Sequence, residues 1–164
     1  MLAAQGAMVH GFDHNPEMID FARQRCEAQN LENNISLQNM SVHAMDGLPA
    51  DEYDGVVATL VFSELSDDER QFALKHAKRA LKSHGMIVIA DEAVPRKTLQ
   101  KISHLLFRIP MLLATYLITR TATRPLQNPK AELTAAGFTV EKETRIHGDA
   151  FTIVTARLRS QDKK

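Results

Sequence analysis

The sequence contains a single cysteine, Cys26, among 164 residues, so no internal disulfide can form. Scarce cysteine is typical of proteins from a reducing compartment, and we expect a cytoplasmic location. Long apolar runs are also lacking. The most apolar stretch, residues 105–118, contains Arg108 and Pro110 and is shorter than the roughly 20 residues that a membrane span requires. The first residues have neither the basic region nor the apolar run of a signal peptide.

Neither charge is in excess, because 20 lysines and arginines balance 20 aspartates and glutamates. This balance gives no indication of nucleic acid or of an acidic surface as a partner. The 44% hydrophobic and 24% charged content is that of an ordinary soluble domain, and a chain of this length can bury a sizeable core. We predict one domain over residues 1–159, followed by a flexible tail over residues 160–164.

Strand-like and helix-like segments alternate through the first 90 residues. Asn15 and Pro16 mark a helix start, because asparagine caps helices and proline suits their first position. Ser66 and Glu69 have the spacing of a capping box and mark another helix start. The predicted strands lie at residues 7–12, 35–37, 55–60 and 86–90. The last two are continuous apolar runs, as parallel strands covered on both faces tend to be, so the pattern predicts a parallel α/β sheet.

The C-terminal half follows a different pattern. A long apolar and basic segment over residues 97–120 predicts a helix bent or broken at Pro110. A short helix over residues 129–136 ends at Gly137. The last two strands, near residues 138–143 and 151–158, are close enough in sequence to pair as an antiparallel hairpin.

Three blocks with characteristic spacing follow one another along the chain. They are Val-His-Gly-Phe-Asp-His-Asn-Pro-Glu-Met at residues 9–18, Tyr-Asp-Gly-Val-Val-Ala-Thr-Leu-Val-Phe-Ser-Glu-Leu at residues 53–65, and Ala-Leu-Lys-Ser-His-Gly-Met-Ile-Val-Ile-Ala-Asp at residues 80–91. The blocks resemble the second-, fourth- and fifth-strand motifs of class I S-adenosylmethionine (SAM)-dependent methyltransferases. A fourth block, Leu-Thr-Ala-Ala-Gly-Phe at residues 133–138, continues the resemblance over nearly the whole chain.

The resemblance implies a Rossmann-like fold with a mostly parallel sheet, helices on both faces and a C-terminal antiparallel hairpin. It implies SAM as cofactor and a helical cover, or lid, inserted at about residues 96–128. Asp13 would accept hydrogen bonds from the ribose hydroxyls. The other implied cofactor contacts are Phe12, His14, Met18, Ser41, Val42, Thr59 and Leu60. Catalytic residues are left unassigned, because methyl transfer depends mainly on positioning and desolvation and needs no obligatory base.

Two features of the family are missing from this sequence. The seven glycines include no Gly-x-Gly-x-Gly cluster, and no acidic adenine-contacting residue is evident after the third strand. We therefore expect a domain that is truncated at its N-terminus and that by itself binds SAM weakly or not at all. The family's first strand lies between the second and the fourth. We therefore expect one of three arrangements: the true start lies upstream, those two strands pair directly, or another chain fills the gap, as a dimer or a partner protein.

A finer resemblance is to small bacterial and archaeal methyltransferases encoded beside corrinoid proteins. It depends on Leu-Val-Phe-Ser-Glu-Leu-Ser at residues 60–66, Ala-Asp-Glu-x-Val-Pro-Arg at residues 90–96 and Thr-Arg-Thr-Ala-Thr-Arg-Pro at residues 119–125. This similarity implies a small-molecule or corrinoid-related methyl acceptor.

Other interpretations stay open at this stage. The chain is a methyltransferase, a non-catalytic remnant or partner-binding module of the same fold, or a nicotinamide-dependent dehydrogenase, since an acidic residue such as Asp13 also suits an NAD ribose. Glu64, Asp91 and Glu92 follow predicted strands, where they would be either proton acceptors or solvated loop residues. We expect no metal site, because the closely spaced histidines of the first block have no third ligand in view.

Overall fold

The computed structural model describes residues 2–95 and 124–159. The helix predicted over residues 97–120, most of the predicted cover and the predicted tail lie outside the described residues. The chain divides into two compact units, Met1–Gly47 and Leu48–Lys164. No helix in the described part of the chain is long and apolar enough to cross a membrane.

The first unit contains a two-stranded parallel sheet and one α-helix. Its elements, in chain order, are a 3₁₀ helix Ala3–Gln5, β1 Val9–Asp13, α1 Pro16–Glu27, β2 Ile35–Asn39 and a 3₁₀ helix Val42–Gly47. The register of the sheet runs from Val9 opposite Ile35 to Asp13 opposite Asn39. Every predicted element of this part of the sequence is present, and the two 3₁₀ helices are additions.

Helix α1 begins as the sequence predicts. Asn15 is the N-cap and accepts a hydrogen bond from the Glu17 N–H at 2.9 Å, while Pro16 occupies the first helical position. The buried residue of the helix is Ile19, whereas Met18 is 52% exposed. The helical spacing of Met18, Ala22 and Cys26 in the sequence predicts an apolar face through Met18, and that prediction is wrong by one position. Ile19 lies on the same stripe as the half-buried Ala22 and Cys26, and Met18 is rotated away from that stripe.

The second unit is a four-stranded mixed sheet with two α-helices. Its elements are β3 Tyr53–Thr59, α2 Asp67–Ala80, β4 Leu81–Glu92, α3 Pro129–Ala135, β5 Phe138–Ile146 and β6 Phe151–Leu158. The strand order is β3-β4-β6-β5. Strands β3 and β4 are parallel, and β5 and β6 form the predicted antiparallel hairpin beside β4. These pairings confirm the predicted mixed α/β class.

The core of the second unit is built on β4, the central strand, and on α2. From Gly85 to Asp91 every second residue of β4 is buried, because alternate side chains of a strand point to the same face. Helix α2 opens with the predicted capping box between Ser66 and Glu69. Ala73, Ala77 and Ala80 recur at helical spacing, which predicts an apolar face, and all three are buried. The buried residues that share this core include Ala73, Leu74, Ala77, Ala80, Leu81, Ile87, Ile89, Leu126, Leu133, Phe138 and Val154.

Strand β3 differs from the prediction of a strand covered on both faces. None of its residues is buried, and Val57 is 59% exposed. The reason is its position, because β3 lies at one edge of the four-stranded sheet and has β4 as its only ladder partner in the described residues. The opposite edge strand, β5, carries a register shift beside Lys142 and several charged residues, which protect an edge from unwanted pairing. The stretch from Gly55 to Val61 has no charge.

Candidate functional site

In the first unit, the carboxyl ends of β1 and β2 meet at one edge of the sheet. The final register pair is Asp13 opposite Asn39, so the residues after both strands emerge side by side. The structure thus brings Asp13 and His14 to the same edge as Ser41 and Val42. In open α/β sheets, ligands bind at the carboxyl ends of parallel strands. We call this position the carboxyl edge of the first unit.

The Asp13 side chain is held in place while much of it stays open to solvent. Its Oδ1 atom accepts a hydrogen bond from the Asn15 N–H at 2.8 Å. The same oxygen lies 3.5 Å from His14 Nδ1, and the Asp13 side chain is 40% exposed. No described residue donates a hydrogen bond to the Asp13 Oδ2 atom. The carboxylate is therefore oriented by its own turn and keeps one oxygen for a ligand.

Asn39 is a residue of this edge that sequence reasoning missed. Its Nδ2 atom donates to the carbonyl oxygens of both Asp13 and His14, each at 3.0 Å. The Met40 N–H also donates to the Asp13 carbonyl oxygen, at 2.9 Å. These bonds fix the backbone that carries the carboxylate against the end of β2. An asparagine at the end of a predicted strand is the only signal in the sequence, and it is equally typical of an ordinary turn.

The other predicted residues of this edge differ in exposure. His14, Met18 and Phe12 are exposed, so a ligand can reach them. Ser41 and Val42 are half-buried at the start of the second 3₁₀ helix. The Ser41 hydroxyl accepts a hydrogen bond from the His43 N–H at 3.3 Å, which is the geometry of a local cap.

In the second unit, the predicted residues Thr59 and Leu60 lie where β3 ends and the loop to α2 begins. Leu60 has a positive φ of 56° and is 51% exposed. A branched side chain rarely adopts this left-handed conformation, and it costs roughly 1–2 kcal/mol. Its N–H donates to the Ala90 carbonyl oxygen of β4 at 2.9 Å. Strained residues of this kind are typical of functional loops.

Asp91 does not lie as the sequence predicted. We expected a solvated loop residue or a proton acceptor, but Asp91 is fully buried within β4. Its carboxylate accepts hydrogen bonds from the Ser63 N–H at 3.1 Å and from the Glu92 N–H at 2.7 Å. An acidic residue at the end of a predicted strand is expected to be exposed to solvent. Asp91 is buried because β4 is paired with a strand on each side. Glu92 is half-buried and Glu64 is exposed.

The described residues contain no group of three or more histidine, cysteine or acidic side chains that could hold a metal ion. Cys26 is half-buried on α1 and lines a cavity together with Ile35 and Leu37 of β2.

Solved structures with the same fold include methyltransferases. A possible exported protein from Bordetella parapertussis is 22% identical, with a TM-score of 0.69 over 94% of this chain and 54% of that chain. A SAM-dependent methyltransferase from Methanosarcina mazei is 16% identical, with a TM-score of 0.72 over 96% of this chain and 85% of that one. The [4+2]-cyclase SpnF is 12% identical, with a TM-score of 0.72 over 96% of this chain and 68% of that one.

These likenesses establish a Rossmann-like fold. The first of the three proteins is much longer than this chain, which spans about half of it. The sequence has no significant match among curated proteins. Residues 1–85 match a family described as a methyltransferase domain, and they make up more than half of the 164 residues. The chain therefore belongs to the methyltransferase domain family.

Proposed function

We propose that this chain uses SAM as its methyl donor and that Asp13 binds the ribose of the cofactor. The observation that carries the proposal is the carboxylate at the carboxyl edge of the first unit, which Asn15 orients and whose Oδ2 atom receives no hydrogen bond from the described residues. Membership of the methyltransferase domain family supports SAM over other ligands that contain adenosine. The Methanosarcina mazei protein of the same fold is named a SAM-dependent methyltransferase, which also supports this choice.

The chemistry of this edge fits an adenosine ligand. A ribose offers two neighbouring hydroxyl donors, and an ionised carboxylate is an acceptor with lone pairs on both oxygens. Hydrogen bonds to a charged group contribute about 1.5–3 kcal/mol each. We further propose that His14 and Met18 line the ligand, since both are exposed, and that Ser41 and Val42 contact the adenine.

For the second unit we propose that Thr59 and Leu60 border the cofactor from the end of β3. When bound, SAM would supply the methyl group, which passes from the sulfonium sulfur to the acceptor in an in-line displacement. The role of the protein is to bind the reactants, to orient them and to exclude water. For the methyl acceptor we propose a small molecule, with a corrinoid-related compound as the finer option that residues 60–66, 90–96 and 119–125 support. Glu64 is the exposed carboxylate of this region that could take a proton from such an acceptor.

A non-catalytic or differently catalytic module is the second candidate. One structural neighbour is named a [4+2]-cyclase, so this fold carries reactions other than methyl transfer. The absence of a Gly-x-Gly-x-Gly cluster from the sequence favours the same alternative, because backbone N–H groups in such loops approach the ligand closely.

Binding of S-adenosylhomocysteine, the demethylated product of SAM, tests the proposal. Ligand-observed NMR suits the measurement because it detects dissociation constants into the millimolar range. Asp13→Asn keeps an oxygen for the Asn15 N–H but removes the charge, so we expect the dissociation constant to rise about tenfold or more. Asp20→Asn is the matched control, because Asp20 is an exposed carboxylate of α1 paired with Arg23 at 2.8 Å.

The control variant should bind like the original chain, and NAD should bind more weakly than S-adenosylhomocysteine. If the original chain shows no saturation transfer to S-adenosylhomocysteine at millimolar concentration, this chain does not bind the cofactor by itself and the non-catalytic module is the better description of it. If Asp13→Asn and Asp20→Asn bind equally well, Asp13 is not the ribose ligand.

A further inference from the structure

Asp91 is an acidic residue at a core position of the second unit. On the same face of β4, Ile87 and Ile89 are buried with it, and Thr152 is its buried partner across the ladder to β6. A buried carboxylate is costly unless it is paired or well hydrogen-bonded. No lysine, arginine or histidine side chain of the described residues forms an ion pair with it. Packing alone would favour an apolar residue here, so the carboxylate needs another explanation.

The carboxylate connects β4 to the loop that joins β3 to α2. Its Oδ2 atom accepts from the Ser63 N–H, which lies 28 positions earlier in the sequence. The Ser63 carbonyl oxygen accepts a second backbone hydrogen bond, from the Arg124 N–H. Ser63 is therefore held through both of its backbone polar groups.

The tethered loop is the strained one. Leu60 adopts its positive φ immediately after β3, and its N–H bonds to the Ala90 carbonyl oxygen. Asp91, the next residue of β4, bonds to Ser63. Two successive residues of β4 thus hold the two ends of residues 60–63. A left-handed leucine persists only where the surroundings compensate for its strain.

Exposure differs between the two halves of this tetrapeptide. Leu60 and Val61 are exposed, whereas Phe62 and Ser63 are buried. Exposed apolar side chains on a strained and doubly anchored loop are suited to contact a ligand without rearrangement, which lowers the entropic cost of binding.

We propose that Asp91 is a positioning residue that sets the conformation of residues 60–63 for ligand binding. It touches no ligand itself. This inference rests on the proposed function for the identity of the ligand. The hydrogen bond between Asp91 and Ser63 does not depend on any ligand.

Hydrogen exchange of the full chain tests the tether without any ligand. Asp91→Asn keeps the shape of the side chain but leaves one acceptor oxygen for two N–H donors. We expect the amides of residues 60–65 to exchange about tenfold faster in this variant, while α2 and β6 keep their protection. Asp54→Asn is the matched control, since Asp54 is an exposed carboxylate of β3 paired with Lys82 at 2.8 Å. Its exchange pattern should equal that of the original chain.

A second substitution separates positioning from general support of the core. Glycine adopts a positive φ without penalty, so Leu60→Gly removes the strain that the tether offsets. We expect the double variant Asp91→Asn/Leu60→Gly to recover protection of residues 61–65, even if Asp91→Asn alone does not fold. If the double variant also fails to fold, or recovers no protection, Asp91 supports the core and the proposal is wrong.

The ligand measurement is kept separate. Asp91→Asn should weaken S-adenosylhomocysteine binding about tenfold, through a loop that is no longer preorganised. Unchanged loop exchange, or faster loop exchange with unchanged affinity, overturns the positioning role. If the original chain binds no S-adenosylhomocysteine, the proposed function fails, and hydrogen exchange alone then decides whether Asp91 sets this loop.

Discussion

Replacing Glu143 by methionine would leave the Arg145 guanidinium buried without its carboxylate. The two side chains are 4% and 8% exposed, and the Arg145 Nε atom lies 2.7 Å from Glu143 Oε1. Arg145 also donates to the carbonyl oxygens of Val94 at 3.0 Å and Asp149 at 3.3 Å. Removing one partner of a buried pair costs about 3–5 kcal/mol, because the remaining charge is uncompensated. We expect Glu143→Met to lower the free energy of unfolding by about that amount.

The double variant Glu143→Met/Arg145→Met should be more stable than the single one. It removes both charges and loses the hydrogen bonds to two carbonyl oxygens, each worth about 0.5–1.5 kcal/mol, so we expect a loss of about 1–3 kcal/mol. Lys130, which lies 3.2 Å from Glu143 and is half-exposed, can turn to solvent. If Arg145→Met alone loses at least about 2 kcal/mol, the coupling between the two substitutions is at least about 2 kcal/mol.

Urea unfolding followed by circular dichroism measures these differences. Glu141→Met is the matched control, because Glu141 lies on the same strand, β5, and pairs with Arg157 of β6 at 2.6 Å, with 41% and 45% exposure. An exposed pair contributes about 0–1 kcal/mol, so this variant should lose little stability. Equal losses for Glu143→Met and Glu141→Met would refute the reasoning. Additive losses in the double variant would refute it as well.

Two further predictions concern single polar groups of the second unit. The Thr152 hydroxyl is buried and finds no hydrogen-bond partner among the described residues, so Thr152→Val should raise the free energy of unfolding by about 1 kcal/mol. A loss of stability in urea would show that this hydroxyl is bonded. Ser66→Ala removes the acceptor of the Glu69 N–H and half of the capping box, so it should lower stability by about 1 kcal/mol. Ser83→Ala is the control for Ser66→Ala, because Ser83 lies in β4 and caps no helix. Equal effects of the two alanine substitutions would contradict the cap assignment.

Local signals predicted helix starts well. Each helix start is marked by residues that lie within a few positions of the backbone N–H groups they satisfy, namely Asn15 before Pro16 and Ser66 before Glu69. A short stretch of sequence is therefore sufficient to identify such a start. Gly137, with a φ of 94°, ends the short helix for the same kind of local reason. The order of strands and helices also followed from these signals and from the apolar runs between them.

The candidate site was predictable in part. Strand ends placed Asp13 and Ser41 after neighbouring strands, and the parallel register brings them to one edge. Their role toward a ligand stays a prediction. Asn39 was missed, because its two carbonyl partners lie 25 and 26 positions away and an asparagine in sequence carries no sign of them.

By itself, the sequence determined the mixed α/β class, the capped helices and the C-terminal hairpin, because each follows from periodicity or from groups adjacent in the chain. Burial was decided only by the tertiary structure. The apolar run that contains Val57 predicts that this residue is buried. Val57 is instead exposed, because β3 lies at an edge of the sheet. Asp91 reads as a solvated residue and is buried, because β4 is paired on both sides. The exposure of a strand residue depends on which strands pair with each other. Contacts between residues far apart in the chain determine this pairing.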